Sequence, residues 1–454
     1  MSTALSMKSQ RRSSGRLIAR AALVSVVCLL VVICGNAQGL TVRSAPYSHE
    51  CREPLPLAAD QVAYLFVTAD SGDAQAQCLL GFAYHQGLSV NKNDAEAAKW
   101  LLKAAQAGVA LAQTEVGYLY ESGSGVPQND TEAVKWYRKS AEQGLDKAEN
   151  NLGRMYFGGR GGLARNSEEA AIWFRKAAEQ GLAAAETSLG MLYRFGEGVT
   201  KDYAEAVRWY RKASEQGYGG AEAELGIMYL HGEGVAQDYV RAVALFQVGA
   251  SHGDASAESC LGYMYLKGYG VERDYAAGFQ WTRAAAERGI AAAEQNLGYA
   301  YENALGTVSD YHAAFKWYYA AALEGLPESQ NTIGYFLENG RGVPRDNVQA
   351  AKWYRKAAEQ GHAGAQLNLA VLYATGRGVP ADYVEACMWF LLATAGGRKD
   401  GAETLVYLRN VMTPEQLREA RLRAYRWRSQ PVPNIAEVPP SEGKAVTISA
   451  AIQP

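Results

Sequence analysis

"AVKWYRKSAEQG" at residues 133–144 and "AAKWYRKAAEQG" at residues 350–361 are almost the same twelve residues, 217 positions apart. A glycine series runs through both regions: Gly81, Gly117, Gly153, Gly190, Gly226, Gly262, Gly298 and Gly334, with Ala370 continuing it. Every step is 36 residues except one of 37, where "GGRGGL" (158–163) carries an extra residue. The separation of 217 is thus six periods of 36 plus that insertion. Nine repeats at one period mark a repeat array rather than a duplicated active site.

Each period reads as two helices. In "AETSLGMLY" (185–193) the Ala, Leu and Tyr stand four apart around the glycine, which puts them on one helix face. The Leu position is filled by Leu80, Val116, Leu152, Leu189, Leu225, Leu261, Leu297, Ile333 and Leu369. A glycine inside a helix costs about 1 kcal/mol, so its recurrence points to close helix packing. A GxGV turn follows, as in "GEGV" at 196–199 and 232–235. Its glycines can take the positive φ that ends a helix. It lacks the Lys-Ser/Thr of a phosphate-binding loop.

The second helix opens on Asn93, Asn129, Asn166, Asp202, Asp238, Asp274, Asp310, Asp346 and Asp382, all preferred N-cap types. Glu96, Glu132, Glu169, Glu205 and Glu385 lie three residues later, the spacing of a capping box. Trp100, Trp136, Trp173, Trp209, Trp281, Trp317, Trp353 and Trp389 mark its packing face, with Leu245 in the remaining slot. Glycine stands eight residues after that slot in all nine periods, from Gly108 to Gly397, as a left-handed helix stop. The expected fold is all-α, a right-handed α-solenoid of about nine 36-residue antiparallel helix pairs, since neither helix can bury its face alone.

The pattern A-x-x-x-L-G-x-x-Y, G-x-G-V, D-x-x-E-A-x-x-W-Y-x-x-A-A-x-x-G resembles the Sel-one-like repeat, a relative of the tetratricopeptide repeat. "AEAELGIMYLHGEGVAQDY" (221–239) and the stretch from "AAKWYRKAAEQG" to "ADY" (350–383) carry the resemblance. It implies an adaptor or scaffold whose concave face binds other proteins, often exported in bacteria. One cysteine-rich branch is linked to β-lactam hydrolysis, but the paired cysteines of that branch are missing here, so that activity is not carried over. Two repeats depart from the pattern: "ALFQVGASHG" (244–253) replaces the Trp-Tyr helix of the fifth, and "ENALGTVSD" (302–310) disturbs the turn of the seventh.

The ends read differently. Residues 1–37 join a basic segment, with Lys8, Arg11, Arg12, Arg16 and Arg20, to an apolar run from Ala21 to Cys34 and small residues Gly35 and Ala37. That is the layout of a signal peptide cleaved after Ala37, and the run is shorter than the ~20 residues that span a bilayer. Residues 38–73 hold an N-terminal segment and a capping helix, 74–397 the repeats, 398–429 two closing helices, and 430–454 a proline-containing flexible tail. Thr413, Pro414 and Gln416 form a second capping-box signature. Cys51 and Cys78 are candidates for a disulfide; Cys78, Cys260 and Cys387 equally suit helix packing.

The net charge of −2 gives no field for nucleic acid or an acidic membrane. The six histidines neither cluster nor fit a nucleophile–base or HExxH spacing, so no catalytic residue, metal site or cofactor is expected. Function then falls to binding of a protein or peptide, by a monomer with no membrane span after cleavage. The residue after each helix glycine points away from the packing face: Phe82, Tyr118, Arg154, Met191, Ile227, Tyr263, Tyr299, Tyr335 and Val371. Thr114, Glu121, Asn150, Gln295, Glu302, Asn331 and Glu338 flank it. Tyr118, Arg154, Tyr263, Tyr299, Tyr335, Gln295 and Asn331 are the candidate partner-binding residues, because tyrosines among amides suit recognition. A scaffold for envelope assembly or signalling control is the first reading, a secreted host-interaction factor the second, and a hydrolase the third.

Overall fold

The structure is a computed structural model and describes residues 59–398, 405, 408 and 410–429. The signal-peptide reading, Cys51 and the tail 430–454 lie outside the described residues, as does most of the first closing helix. All described regular structure is helical. Helix α1 (Ala59–Asp70) stands alone before the array. The first helices of the nine repeats are α2 (Ala74–Gln86), α4 (Ala110–Ser122), α6 (Asp146–Gly158), α8 (Ala183–Phe195), α10 (Gly219–His231), α12 (Ala255–Lys267), α14 (Ala291–Glu302), α16 (Pro327–Asn339) and α18 (Ala363–Thr375). The second helices are α3 (Asp94–Gln106), α5 (Asp130–Ala141), α7 (Ser167–Glu179), α9 (Tyr203–Glu215), α11 (Tyr239–Ser251), α13 (Tyr275–Glu287), α15 (Tyr311–Leu323), α17 (Asn347–Glu359) and α19 (Tyr383–Ala395). Helix α20 (Pro414–Ser429) closes the described chain and packs on α19. Each helix packs on the next, so the array is an α-solenoid. First helices also meet across repeats, α10 touching both α8 and α12.

The expected positions do their work at atomic detail. The residue after the Trp slot lies on the helix glycine of its own repeat. A Cβ on Gly117, Gly190 or Gly334 would come within 2.6–2.8 Å of Tyr137, Tyr210 or Tyr354. Those three tyrosines are fully buried, and Phe174, Phe246 and Phe390 fill the same slot. The Trp itself reaches the preceding layer: Trp209 joins the core around Phe174, and Trp353 that around Tyr318. A lysine three residues on covers the ring in five repeats, at 4.0 Å for Lys103 over Trp100 and Lys176 over Trp173. The Arg of the opening motif crosses to the next repeat, with Arg138 donating to the Tyr156 hydroxyl at 3.0 Å. The fifth repeat, despite its altered sequence, forms α11 with Leu245 in the Trp slot.

All nine Asn and Asp side chains cap their helices, for example Asn129 accepting from Thr131 and Glu132. The capping-box half of the expectation needs correction. The cap's own N–H goes to a first-helix carbonyl, as in Asn129 to Tyr120 and Asp202 to Tyr193, rather than to the glutamate. The last carbonyls of a helix lack partners, and the returning chain supplies the donor. Three of the glutamates pair with the side chain three residues on instead, Glu96 with Lys99, Glu132 with Lys135 and Glu205 with Arg208, and Glu385 pairs with Arg423. The reciprocal box does form at α20, where Thr413 and Gln416 exchange bonds of 2.9 and 3.2 Å.

The second glycine of GxGV is required twice. It has positive φ, and a Cβ there would run into the second helix of the preceding repeat: Gly198 into the Ser167 carbonyl, Gly378 into that of Asn347. The seventh repeat keeps the turn by holding Ala304 at φ 56° in the first-glycine slot.

Four residues before each helix glycine lies a slot that the periodicity reading passed over. Gln77, Gln113, Gln330 and Gln366 fill it in the outer repeats, and each donates its amide to a carbonyl eight residues back. Glu149, Glu186, Glu222, Glu258 and Glu294 fill it in the five central repeats. The residue before the helix-stop glycine bonds this slot, through Gln143 to Gln113, Gln180 to Glu149 and Gln216 to Glu186, each at 2.8 Å. His252 meets Glu222 and Arg288 meets Glu258 in the same way.

Candidate partner-binding surface

The face opposite the packing stripe of the first helices is uneven. Tyr118, Tyr299 and Tyr335 are 46%, 47% and 39% exposed, which is high for rings on a folded helix array. Tyr263 is half-buried and packs edge-on to Tyr269, which stacks on Tyr239 at 5.1 Å. Arg154 is exposed and pairs with Glu121. Asn331 accepts from the Asn368 amide, and Gln295 accepts from Ser329. Phe82 and Ile227, placed on this face by helical geometry, are buried instead. Ile227 belongs to a core shared by the fourth to sixth repeats, where the first helices meet.

Between repeats, three positions form a recurring pin. Glu121 accepts from the Tyr137 hydroxyl at 2.7 Å and pairs with Arg160 of the next repeat at 2.9 Å. Glu302 does the same with Tyr318 and Arg341, and Glu338 with Tyr354 and Arg377. Between the fourth and fifth repeats the charges are exchanged: Arg194 pairs with Glu224 at 2.9 Å and Glu233 at 2.7 Å. Burial opposes the charge on Arg194, and the two carboxylates more than offset it. Glu224 remains raised by burial despite Arg194. Tyr210, at the tyrosine of this pin, has a buried hydroxyl with no partner.

Across the second to fourth repeats the same face holds a cavity of about 330 Å³, walled by Glu115, Tyr118, Lys147, Asn150, Asn151 and Leu182. Helices α4 and α6 supply the polar groups, and Leu182 comes from the turn before α8. Burial raises the Glu115 carboxyl, with His85 and Lys147 acting in the opposite sense. Tyr118 and its flank Thr114 belong to the strip read from the sequence, as does Asn150, the flank of Arg154. Glu115, Lys147 and Asn151 were missed, because each lies one turn or one residue off the strip considered.

Among the described residues, four histidines have local partners, His252 through Glu222 as above. His85 meets Asp94 at 2.9 Å, His312 meets the Gly342 carbonyl, and His362 caps α18. Among the described residues no three His, Cys, Asp or Glu side chains gather as metal ligands, and no helix is long and apolar enough to cross a membrane.

A family model for the Sel1 repeat matches nine consecutive segments from residue 74 to residue 397. The chain belongs to the Sel1 repeat family. Sel1 repeats typically serve as protein–protein interaction scaffolds. Among solved structures, a protective antigen of uropathogenic Escherichia coli with an SLR fold is 31% identical. The match covers 87% of this chain and 91% of that one, with a TM-score of 0.45. A Sel1 repeat protein from Oxalobacter formigenes is 29% identical over 77% of this chain and 90% of that one, with a TM-score of 0.47. A comparison with curated proteins returns no match.

Proposed function

We propose that this Sel1 repeat protein is a non-enzymatic, exported scaffold that holds a protein or peptide partner along the exposed face of its first helices. The observation that carries the reading is the half-exposure of Tyr118, Tyr299 and Tyr335 at one register of the repeat. Rigid aromatic rings on a packed helix lose little entropy on binding and suit partner recognition. Arg154, Tyr263, Gln295 and Asn331 belong to the same face and shape its edges. Export to the periplasm or beyond rests on the basic and apolar character of residues 1–37, with cleavage after Ala37. A role in envelope assembly or signalling control follows from that location and from the scaffold character of the repeats.

The test is capture of a partner by the native protein and by Y299A/Y335A. Loss of capture with an unchanged melting temperature supports the reading. Retained capture, or capture lost only together with the fold, removes it. N-terminal sequencing of the fractionated protein checks the cleavage site.

A further inference from the structure

Three consecutive seams of the array share an aromatic arrangement that the others lack. The second helices of the fifth, sixth and seventh repeats begin on Tyr239, Tyr275 and Tyr311. In the repeat that follows each of them, the residue after the helix glycine is Tyr263, Tyr299 or Tyr335. No other seam places tyrosine at both positions. Five of these six rings are exposed, and Tyr263 is half-buried. The turn of the following repeat joins the two rows. Its second glycine sits against the backbone carbonyl of the first tyrosine, Gly270 on Tyr239, Gly306 on Tyr275 and Gly342 on Tyr311. The residue before that glycine bridges the rows. Tyr269 stacks on Tyr239 at 5.1 Å and meets Tyr263 edge-on at 6.1 Å. Arg341 covers Tyr311 at 5.3 Å and Tyr335 at 5.2 Å. Leu305 has the same place in the middle seam.

Spacing and hydrogen-bonding character select the occupant. Successive first helices pack on one another here, α10 on α12 and α12 on α14. Packed helices stand about 8–10 Å apart. A polyproline II helix advances about 9 Å in each turn of three residues. One turn therefore matches one seam. A proline segment carries carbonyl acceptors and no backbone N–H, whereas tyrosine hydroxyls and the Arg341 guanidinium donate. Its backbone is already extended, so docking on aromatic rings orders it little further. We propose that the three seams from the fifth to the eighth repeat hold a proline-rich segment of the partner in polyproline II form, one turn per seam. This names the class of ligand for the scaffold face and rests on that reading.

The experiment is fluorescence anisotropy on the native protein with fluorescein-labelled (Pro)3, (Pro)6, (Pro)9, (Pro)15 and (Gly-Ser-Gly)3. Affinity should rise about fivefold or more from (Pro)3 to (Pro)6 and again to (Pro)9, because each added turn engages another seam. (Pro)15 should add little, and (Gly-Ser-Gly)3 should not bind. Y275A interrupts the middle seam and should weaken (Pro)9 about fivefold or more. Tyr383 opens α19 with a similarly exposed ring outside the three seams, and Y383A should change nothing. No binding of (Pro)9, no dependence on length, equal binding of (Gly-Ser-Gly)3, or equal losses in Y275A and Y383A would each overturn the proposal. Tighter binding of cellohexaose than of (Pro)9 would assign the rings to a glycan and overturn it too. Removing residues 430–454, which carry "PVPNIAEVPP" (431–440), should leave (Pro)9 binding unchanged. A gain would make the chain's own tail the occupant in place of a partner. Partner capture that depends on Tyr299 and Tyr335 without oligoproline binding removes this inference and keeps the scaffold reading. Capture retained in Y299A/Y335A removes both.

Discussion

The seam between the eighth and ninth repeats and the seam between the fourth and fifth use the same three positions with opposite charge. In the first, Glu338 accepts from Tyr354 and pairs with Arg377. In the second, Arg194 occupies the glutamate position and Glu233 the arginine position. The backbone therefore fixes where a charge pair must lie, and leaves its direction open. The tyrosine registers the difference: Tyr354 has an acceptor, and Tyr210 has none. A partly buried arginine cannot accept a hydrogen bond, so reversing the pair leaves one hydroxyl unmade.

The strongest way to break the comparison is R194E, which sets a third carboxylate beside Glu224 and Glu233. Removing the positive member of a largely buried pair should cost about 3 kcal/mol. Adding E233R should recover part of that loss and give the Tyr210 hydroxyl an acceptor, while Glu224 stays without its arginine; R194E/E224N/E233R, which copies the Asn368 of the other seam, should recover more. Denaturant unfolding, with hydrogen exchange resolved by repeat, reads both effects, because a repeat array need not unfold as one unit.

Tyrosine removal sharpens the same contrast. Y354F should lose about 1.5 kcal/mol with its bond to a charged acceptor, while Y210F should be neutral or slightly stabilising. Equal losses at the two positions would show that ring packing alone sets the seam.

A second contrast separates the central repeats from the outer ones. The glutamines of the outer repeats give a hydrogen to a carbonyl, and an ionised glutamate has none to give. In the sixth repeat the Glu258 Oε2 is buried without a partner. Burial is the main cause that raises Glu149 and Glu186 above the usual value of 4.5, with Gln180, Lys176 and Asp146 facing the first and Lys212, Gln216 and Glu215 the second. A carboxyl raised in the folded state favours folding when protonated. That contribution is present below the unfolded value and is lost as pH rises through the folded one. The third and fourth repeats should therefore tighten as pH falls from 7 toward 5, measured by hydrogen exchange. E149Q/E186Q should gain about 1 kcal/mol at pH 7 and remove that dependence.

The smallest effect concerns the turn of the seventh repeat. A304G should gain about 0.5–1 kcal/mol by relieving a positive φ of 56°. A loss, by chemical denaturation, would show that the alanine methyl contributes packing that outweighs its backbone strain.

What the sequence made legible followed from repetition. The caps, helix stops, helix glycines and Trp slots recur at one spacing and answer to one physical demand each. Glu121 and Arg160 are 39 residues apart and change identity from seam to seam, so no single-period pattern reports them. The cavity is harder still, since Glu115, Asn150 and Ala184 meet only when three repeats stack. The capping-box glutamates were read half correctly, because sequence spacing cannot show that a first-helix carbonyl reaches the cap first.

The ladder of indoles has an optical consequence. Eight of the nine repeats place a tryptophan at a contact between layers, and the fifth has Leu245 there. Fluorescence therefore watches nearly every joint of the array, with one dark link near its middle. Fraying from either end dims the signal stepwise, whereas a chain that parts first between the fourth and fifth repeats begins to open before any indole responds.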